Sequence, residues 1–131
     1  MRSMKGRVLV VDDDAALSEM LGIMLRGEGF DPTFVADGDH AMQAFREWNP
    51  DVLVSDIGMP NEDGYSLIRR VRELESSGSR EIPAVALTAY ATDEDRSQAL
   101  SAGFQVHVSK PIEPESFVSC LASVLGRNVE N

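Results

Sequence analysis

Three short apolar runs constrain this chain more than any other feature: Val8-Leu9-Val10-Val11, Val52-Leu53-Val54 and Ala84-Val85-Ala86-Leu87. They are rich in β-branched residues and do not alternate with polar ones, the pattern of strands buried on both faces of a parallel sheet. Thr33-Phe34-Val35 and Val106-His107-Val108 are shorter and bracketed by Pro32, Gly38, Gly103 and Pro111, which reads as two edge strands. Between these runs the apolar period lengthens to that of a helix. Leu17, Met20, Leu21, Met24 and Leu25 share one face, as do Ala41, Ala44, Phe45 and Trp48, and later Phe117, Cys120, Leu121, Val124 and Leu125. Ile68, Val71 and Leu74 mark a third helix, with Arg69, Arg70 and Arg72 read as its solvated outer face. A fourth, from Asp93 to Ala102, has an acidic start but only Ala99 and Leu100 as core anchors, so it is predicted to be the most weakly held. Helix stops fall at Gly27 and Gly29, at Asn49-Pro50 and at Gly103. The order is strand then helix, five times over, which predicts a parallel α/β sheet with right-handed crossovers. Periodicity leaves the order of the strands open.

The length of 131 residues suits a single domain, and no apolar run approaches the roughly 18 residues of a membrane span. The net charge of −10 repels nucleic acid phosphates and anionic membrane, so neither is expected as a direct partner. Cys120 is the only cysteine, which permits no internal disulfide and no cysteine-based zinc site. A cytoplasmic location is therefore expected. Residues 1–5 and 127–131 are read as flexible termini around a domain spanning 6–126. Ser76-Ser77-Gly78-Ser79 is read as a polar loop.

The polar residues that follow the apolar runs carry the chemistry. The first run ends in Asp12-Asp13-Asp14, the third strand in Ser55-Asp56, the fourth in Thr88 and the fifth in Ser109-Lys110-Pro111. All stand at carboxyl ends of strands, where open parallel sheets bind ligands. If the first and third strands are neighbours, about 4.8 Å apart, Asp12, Asp13 and Asp56 converge. Clustered carboxylates repel one another unless a proton or cation intervenes. Oxygen ligands without cysteine or histidine suit Mg²⁺, or Mn²⁺, rather than zinc. Lys110 and the Thr88 hydroxyl are placed to hold phosphoryl oxygens, which completes the parts of a phosphoryl-transfer site.

The motifs Val10-Val11-Asp12-Asp13-Asp14, Ser55-Asp56-Ile57-Gly58-Met59-Pro60 with Asp63-Gly64, Leu87-Thr88-Ala89 and Ser109-Lys110-Pro111 resemble, in this order, the receiver domain of two-component response regulators. The resemblance covers about residues 6 to 126. It implies a flavodoxin-like doubly wound sheet of order 2-1-3-4-5 with five helices, the order found in a chemotaxis member of that family. It also implies that Asp56 is the phosphoacceptor, that Asp12, Asp13, Asp56 and the Gly58 carbonyl hold Mg²⁺, and that Thr88 and Lys110 bind the phosphoryl group. A cis Lys110–Pro111 peptide comes with the family. Its implied partners are a histidine kinase or histidine phosphotransfer protein and a downstream output protein or parent-chain domain, with the chain a monomer or weak dimer. The output face is implied to be the fourth helix, fifth strand and fifth helix. Such a domain is not an enzyme beyond its own phosphorylation and dephosphorylation.

Two positions depart from the family pattern. His107 stands three before the lysine, where an aromatic switch residue is usual, so the switch is expected either to use imidazole or to run by another route. Gly58, two after Asp56, and Tyr90, two after Thr88, flank the water path to the phosphoryl group, so an atypical phosphoryl lifetime is expected. Gly58 also lacks the second aspartate of Mg²⁺-dependent aspartyl-phosphate phosphohydrolases, which sets that rival reading back. A degenerate, phosphorylation-independent receiver is the other rival, but every site residue is present. Asp14 is read as a helix cap, Asp63-Gly64 as a turn, Cys120 as core and His40 as surface. The chain is read as stand-alone or excised, with a lean to the C-terminal receiver of a hybrid sensor kinase.

Overall fold

The computed structural model describes residues 5–58, 62–75, 81–89 and 92–129, with side chains described as far as Gly126. Its elements alternate as the apolar periods require: β1 (Gly6–Val11), α1 (Ala15–Gly27), β2 (Phe30–Val35), α2 (Gly38–Trp48), β3 (Val52–Asp56), α3 (Gly64–Glu75), β4 (Ala84–Thr88), α4 (Asp93–Ala102), β5 (Val106–Ser109) and α5 (Pro114–Val129). All five strands pair in parallel in the order β2-β1-β3-β4-β5. The expected sheet and strand order are thus observed.

The lack of alternation in the central strands has a direct physical counterpart. Side chains alternate between faces of a strand, so an unbroken apolar run feeds two cores at once. Leu9, Val11, Leu53, Ala84 and Ala86 point into one core, with Ala41 and Met42 of α2, Leu67, Ile68 and Val71 of α3, and Ala99 and Ala102 of α4. Val8, Val10, Val52, Val54, Val85 and Leu87 point into the other, with Leu21 and Leu25 of α1 and Phe117, Leu121, Val124 and Leu125 of α5. Local signals start and stop the helices. The Asp14 side chain accepts from Leu17 N at the head of α1, as expected of a cap, and Asp37 caps α2 by accepting from His40 N. Asn49 ends α2 in the left-handed conformation.

Several sequence expectations need correcting. β2 begins at Phe30 and includes Pro32, which an edge strand tolerates because an outward-facing amide is not needed for pairing. Met20 lies on the margin of the apolar face of α1 and is 41% exposed. In α4 the second anchor is Ala102, while Leu100 is half exposed. Arg72 is not solvated: its side chain is 16% exposed and bonded to two backbone carbonyls. Arg70 pairs with Glu62 and Asp39, which leaves Arg69 as the exposed member of the trio. His40 is on the surface as expected, but its Nδ1 is paired with the Asp37 carboxylate at 2.8 Å. Cys120 is half-buried against the α1–α5 core. α5 runs to Val129, past the expected boundary at 126. The readings of Met59-Pro60, Ser76-Ser77-Gly78-Ser79 and Tyr90, and of residues 1–4 and 130–131, lie outside the described residues.

Phe117 is the largest side chain that is almost wholly buried. Phe117→Ala is expected to cost about 3–5 kcal/mol, read as a lower urea midpoint with little change in slope.

Candidate functional site

The parallel pairing of β1 with β3 sets Val11 beside Ser55, so the residues that follow, Asp12 and Asp56, emerge side by side at the carboxyl edge. Asp12 and Asp56 are buried and Asp13 is exposed, and one carboxylate oxygen from each lies within 4.8 Å of the others. β4 pairs with β3 through Asp56 and Leu87, which places Thr88 at the same edge, 5% exposed. β5 pairs with β4 through Ser109 and Thr88, and the Lys110 amide donates to the Thr88 carbonyl at 2.7 Å. From there the lysine side chain reaches back over β4. Its Nζ lies 3.1 Å from Asp12 Oδ2 and 3.4 Å from Asp56 Oδ1. The Lys110–Pro111 peptide bond is cis.

The electrostatics follow from that crowding. Burial pushes the Asp12 carboxyl above its ordinary value, and the charge of Asp56 adds to the push. The Asp14 amide, which donates to Asp12 Oδ1 at 2.9 Å, and Lys110 oppose it. Burial alone would lower the Lys110 ammonium; its close pairing with Asp12, then Asp56, outweighs burial, so the net shift is upward. Asp12 Oδ2 is buried and makes no aligned hydrogen bond; Lys110 meets it as an ion pair only. A buried carboxylate oxygen left in this way, beside two further hard oxygen donors, fits a small divalent cation with water completing the shell. Asp12, Asp13 and Asp56 are the residues suited to hold it, and no histidine or cysteine joins the described cluster.

The sequence reading of Asp63-Gly64 as a mere turn missed its structural task. Asp63 caps α3, its carboxylate accepting from Ser66 N at 2.9 Å. Gly64 N donates to the Ile57 carbonyl, and a Cβ on Gly64 would lie 2.6 Å from the Asp56 carbonyl oxygen and 2.9 Å from Ile57 Cδ1. The start of α3 therefore closes directly on the backbone of Asp56, and only glycine fits. The available signal was an Asp placed just ahead of a 3.6-residue apolar period. Glu62 was also passed over: it accepts from the Ser66 hydroxyl and from Arg70, whose guanidinium reaches Asp39 of α2 as well. Gly58 N lies 3.3 Å from Asp56 Oδ1. His107 is partly buried on β5; its Nε2 is buried and has no hydrogen-bond partner among the described residues. Val106 and Val108 pack toward the α1–α5 core, so His107 faces the α3–α4 side beside Ala86.

A five-stranded doubly wound parallel sheet of this order, with a carboxylate triad and a lysine at its carboxyl edge, defines a domain of the flavodoxin-like class. The chain belongs to the response regulator receiver domain family, which matches residues 8–122. It is 41% identical over 128 residues to the DNA-binding response regulator MtrA of Mycobacterium tuberculosis, covering 98% of this chain and 54% of MtrA. It thus spans about half the length of that relative. Among solved structures, the receiver domain of a Francisella response regulator superposes with a TM-score of 0.86 at 27% identity, covering 94% of this chain and 98% of the other. The Vibrio cholerae chemotaxis protein CheY4 does so with a TM-score of 0.84 at 27% identity, covering 95% and 99%.

If the triad holds a divalent cation, Mg²⁺ at ten times its dissociation constant is expected to stabilise the fold by about 1.4 kcal/mol, read by thermal unfolding. Asp13→Asn is expected to lose most of that gain. Asp12→Asn is expected to lose it too, while unfolding at a higher midpoint than the parent in metal-free buffer, because a carboxylate that burial disfavours has been neutralised. Gly64→Ala is expected to cost about 1–3 kcal/mol through the forced contact with the Asp56 carbonyl, read by urea unfolding.

Proposed function

We propose that this receiver domain is phosphorylated on Asp56 by a histidine kinase or histidine phosphotransfer protein. The supporting observation is a buried strand-end carboxylate flanked by two further carboxylates and faced by the Lys110 ammonium at 3.4 Å. Asp56 attacks phosphorus in line, a phosphorus–nitrogen bond to the donor histidine breaks, and an aspartyl phosphate forms with the imidazole as leaving group. A small acyl phosphate would serve equally, with a carboxylate as leaving group. Lys110 moves its charge from the bare carboxylates to the incoming phosphoryl oxygens, and the Thr88 hydroxyl donates to another of them. Asp12, Asp13, Asp56 and the Gly58 carbonyl would hold Mg²⁺, with Mn²⁺ as a substitute; when bound, the ion neutralises charge on the transferring group.

Formation of the new phosphoryl oxygens draws Thr88 inward and biases two arrangements of α4. His107, on the α3–α4 side of β5 with an unpartnered nitrogen, takes the place of the family's aromatic switch, and the α4–β5–α5 face delivers the output to a protein partner or parent-chain domain. The domain works in the cytoplasm as a monomer or weak dimer, without direct nucleic acid or membrane contact. Among the described residues no helix is long and apolar enough to cross a membrane. Gly58 brings no carboxyl group to act as the second acid of a phosphohydrolase, so the chain turns over only its own phosphoryl group.

Incubation with Mg²⁺ and acetyl phosphate is expected to add one phosphoryl group by intact mass, and Asp56→Asn to abolish the gain. No gain, or a gain that survives Asp56→Asn, overturns the assignment. His107→Ala is expected to weaken the difference in partner binding between the two states; an unaltered difference removes His107 from the switch.

A further inference from the structure

Arg72, which the sequence placed on a solvated helix face, is the hub of a buried polar junction. Its Nη1 donates to Glu75 Oε1 and to the Ile82 carbonyl, both at 2.7 Å. Its Nε and Nη2 fork the Gly103 carbonyl at 3.2 and 2.9 Å, and Nη2 also meets Gln105 Oε1 at 3.2 Å. The acceptors are themselves held. Glu75, 5% exposed, takes the Ile82 amide on its other oxygen at 2.9 Å, and Gln105 Oε1 takes the Ala84 amide at 2.7 Å. One guanidinium thus ties the end of α3, the entry to β4, the end of α4 and the approach to β5. A planar fork with five donors suits that task, whereas a lysine would bring a single point charge.

Gly103 makes the approach possible. Its φ of +130° favours glycine, and a Cβ there would lie 3.1 Å from Arg72 Cγ and 3.3 Å from Ile68 Cγ1. Phe104 follows, 3% exposed, its amide bonded to the Ala99 carbonyl. The carboxyl end of α4 is therefore clamped. The rest of the helix is held less: Ala99 and Ala102 are its buried residues, Leu100 is half exposed, and in the first turn Asp93 and Glu94 are exposed and Asp95 is only half-buried. Its cap, Thr92, lies four residues after Thr88 at the edge that carries the site.

We propose that Arg72 is the hinge pin of α4: the helix swings about the clamped Gly103 end, and its Thr92 end, next to the phosphoryl site, is the part that moves. Movement at Thr88 then becomes rotation of a lever rather than translation of a whole helix. The trigger rests on Asp56 being the phosphoacceptor; the asymmetry of α4 does not.

Amide hydrogen exchange by NMR on the full chain tests both separately. In the unmodified protein, the hydrogen-bonded amides of Arg96, Ser97 and Gln98 are expected to exchange about tenfold or more faster than those of Ala102, Gly103 and Phe104. Arg72→Lys, which keeps a charge beside Glu75 but loses the fork on Gly103, is expected to erase that gradient. Uniform exchange along α4, or a gradient that survives Arg72→Lys, overturns the hinge. With Mg²⁺ and beryllofluoride as phosphoryl analogue, amide shift changes are expected over residues 92–98 and not at Gly103 and Phe104; equal changes at both ends overturn it. If beryllofluoride shifts nothing at Asp56 or Thr88, the phosphoacceptor reading fails, and the exchange gradient still decides the hinge.

Discussion

The register of β1 against β3 is the constraint on which the rest of the site depends. With Val11 opposite Ser55, two carboxylates are forced out of parallel strands at the same height, and neither has room to retreat. Their repulsion is structural rather than incidental. A cation eases it, and Lys110 supplies one from just beyond β5, two strands away from β3, because its flexible four-carbon stem spans the gap. A long-stemmed point charge can meet both acids at once, 3.1 Å from Asp12 and 3.4 Å from Asp56. A rigid guanidinium would hold the carboxylates too well. The overall excess of acid, −10 for the chain, is thus partly offset at this edge, where one ammonium stands against three carboxylates.

Much of this was legible in the sequence because strand-end chemistry is local. Unbroken apolar runs followed by Asp12-Asp13, Asp56, Thr88 and Lys110 announce both a parallel sheet and the edge at which its ligands gather. The strand order came from likeness to a family and not from the pattern, since periodicity says nothing about which strands are neighbours. What the sequence hid were contacts between elements far apart in the chain. Arg72 looks like a solvated arginine because its stripe is interrupted by other arginines, and its carbonyl partners at Ile82 and Gly103 leave no mark in side-chain identity. Gly64 looks like a turn residue, and its requirement for a missing Cβ is set by the Asp56 backbone across the loop. Leu100 was taken for an anchor because it is large, but burial in α4 goes to the smaller Ala102, where the helix lies close to its neighbours.

Of the positions that depart from the family pattern, Gly58 follows β3 and His107 lies on β5. Gly58 brings no polar side chain beside Asp56, and its own amide lies 3.3 Å from Asp56 Oδ1. His107 brings to β5 a ring with two nitrogens, one of them buried without a hydrogen-bond partner among the described residues. A phenyl ring could occupy that place without an unmet hydrogen bond.

The division of the interior by the sheet has a further consequence. The α1–α5 side is filled with Leu21, Leu25, Phe117 and Leu121, while the α4 sector of the opposite side rests on alanines of both helix and strand, Ala99 and Ala102 over Ala84 and Ala86. Dispersion contacts scale with the atoms in contact, so the two halves of one domain differ in cohesion. Warming should soften the α4 sector well before it loosens the α1–α5 wall. The molecule is built as a stiff chassis bearing one compliant panel, and evolution can retune the panel, alanine by alanine, without touching the frame that holds the acids in place.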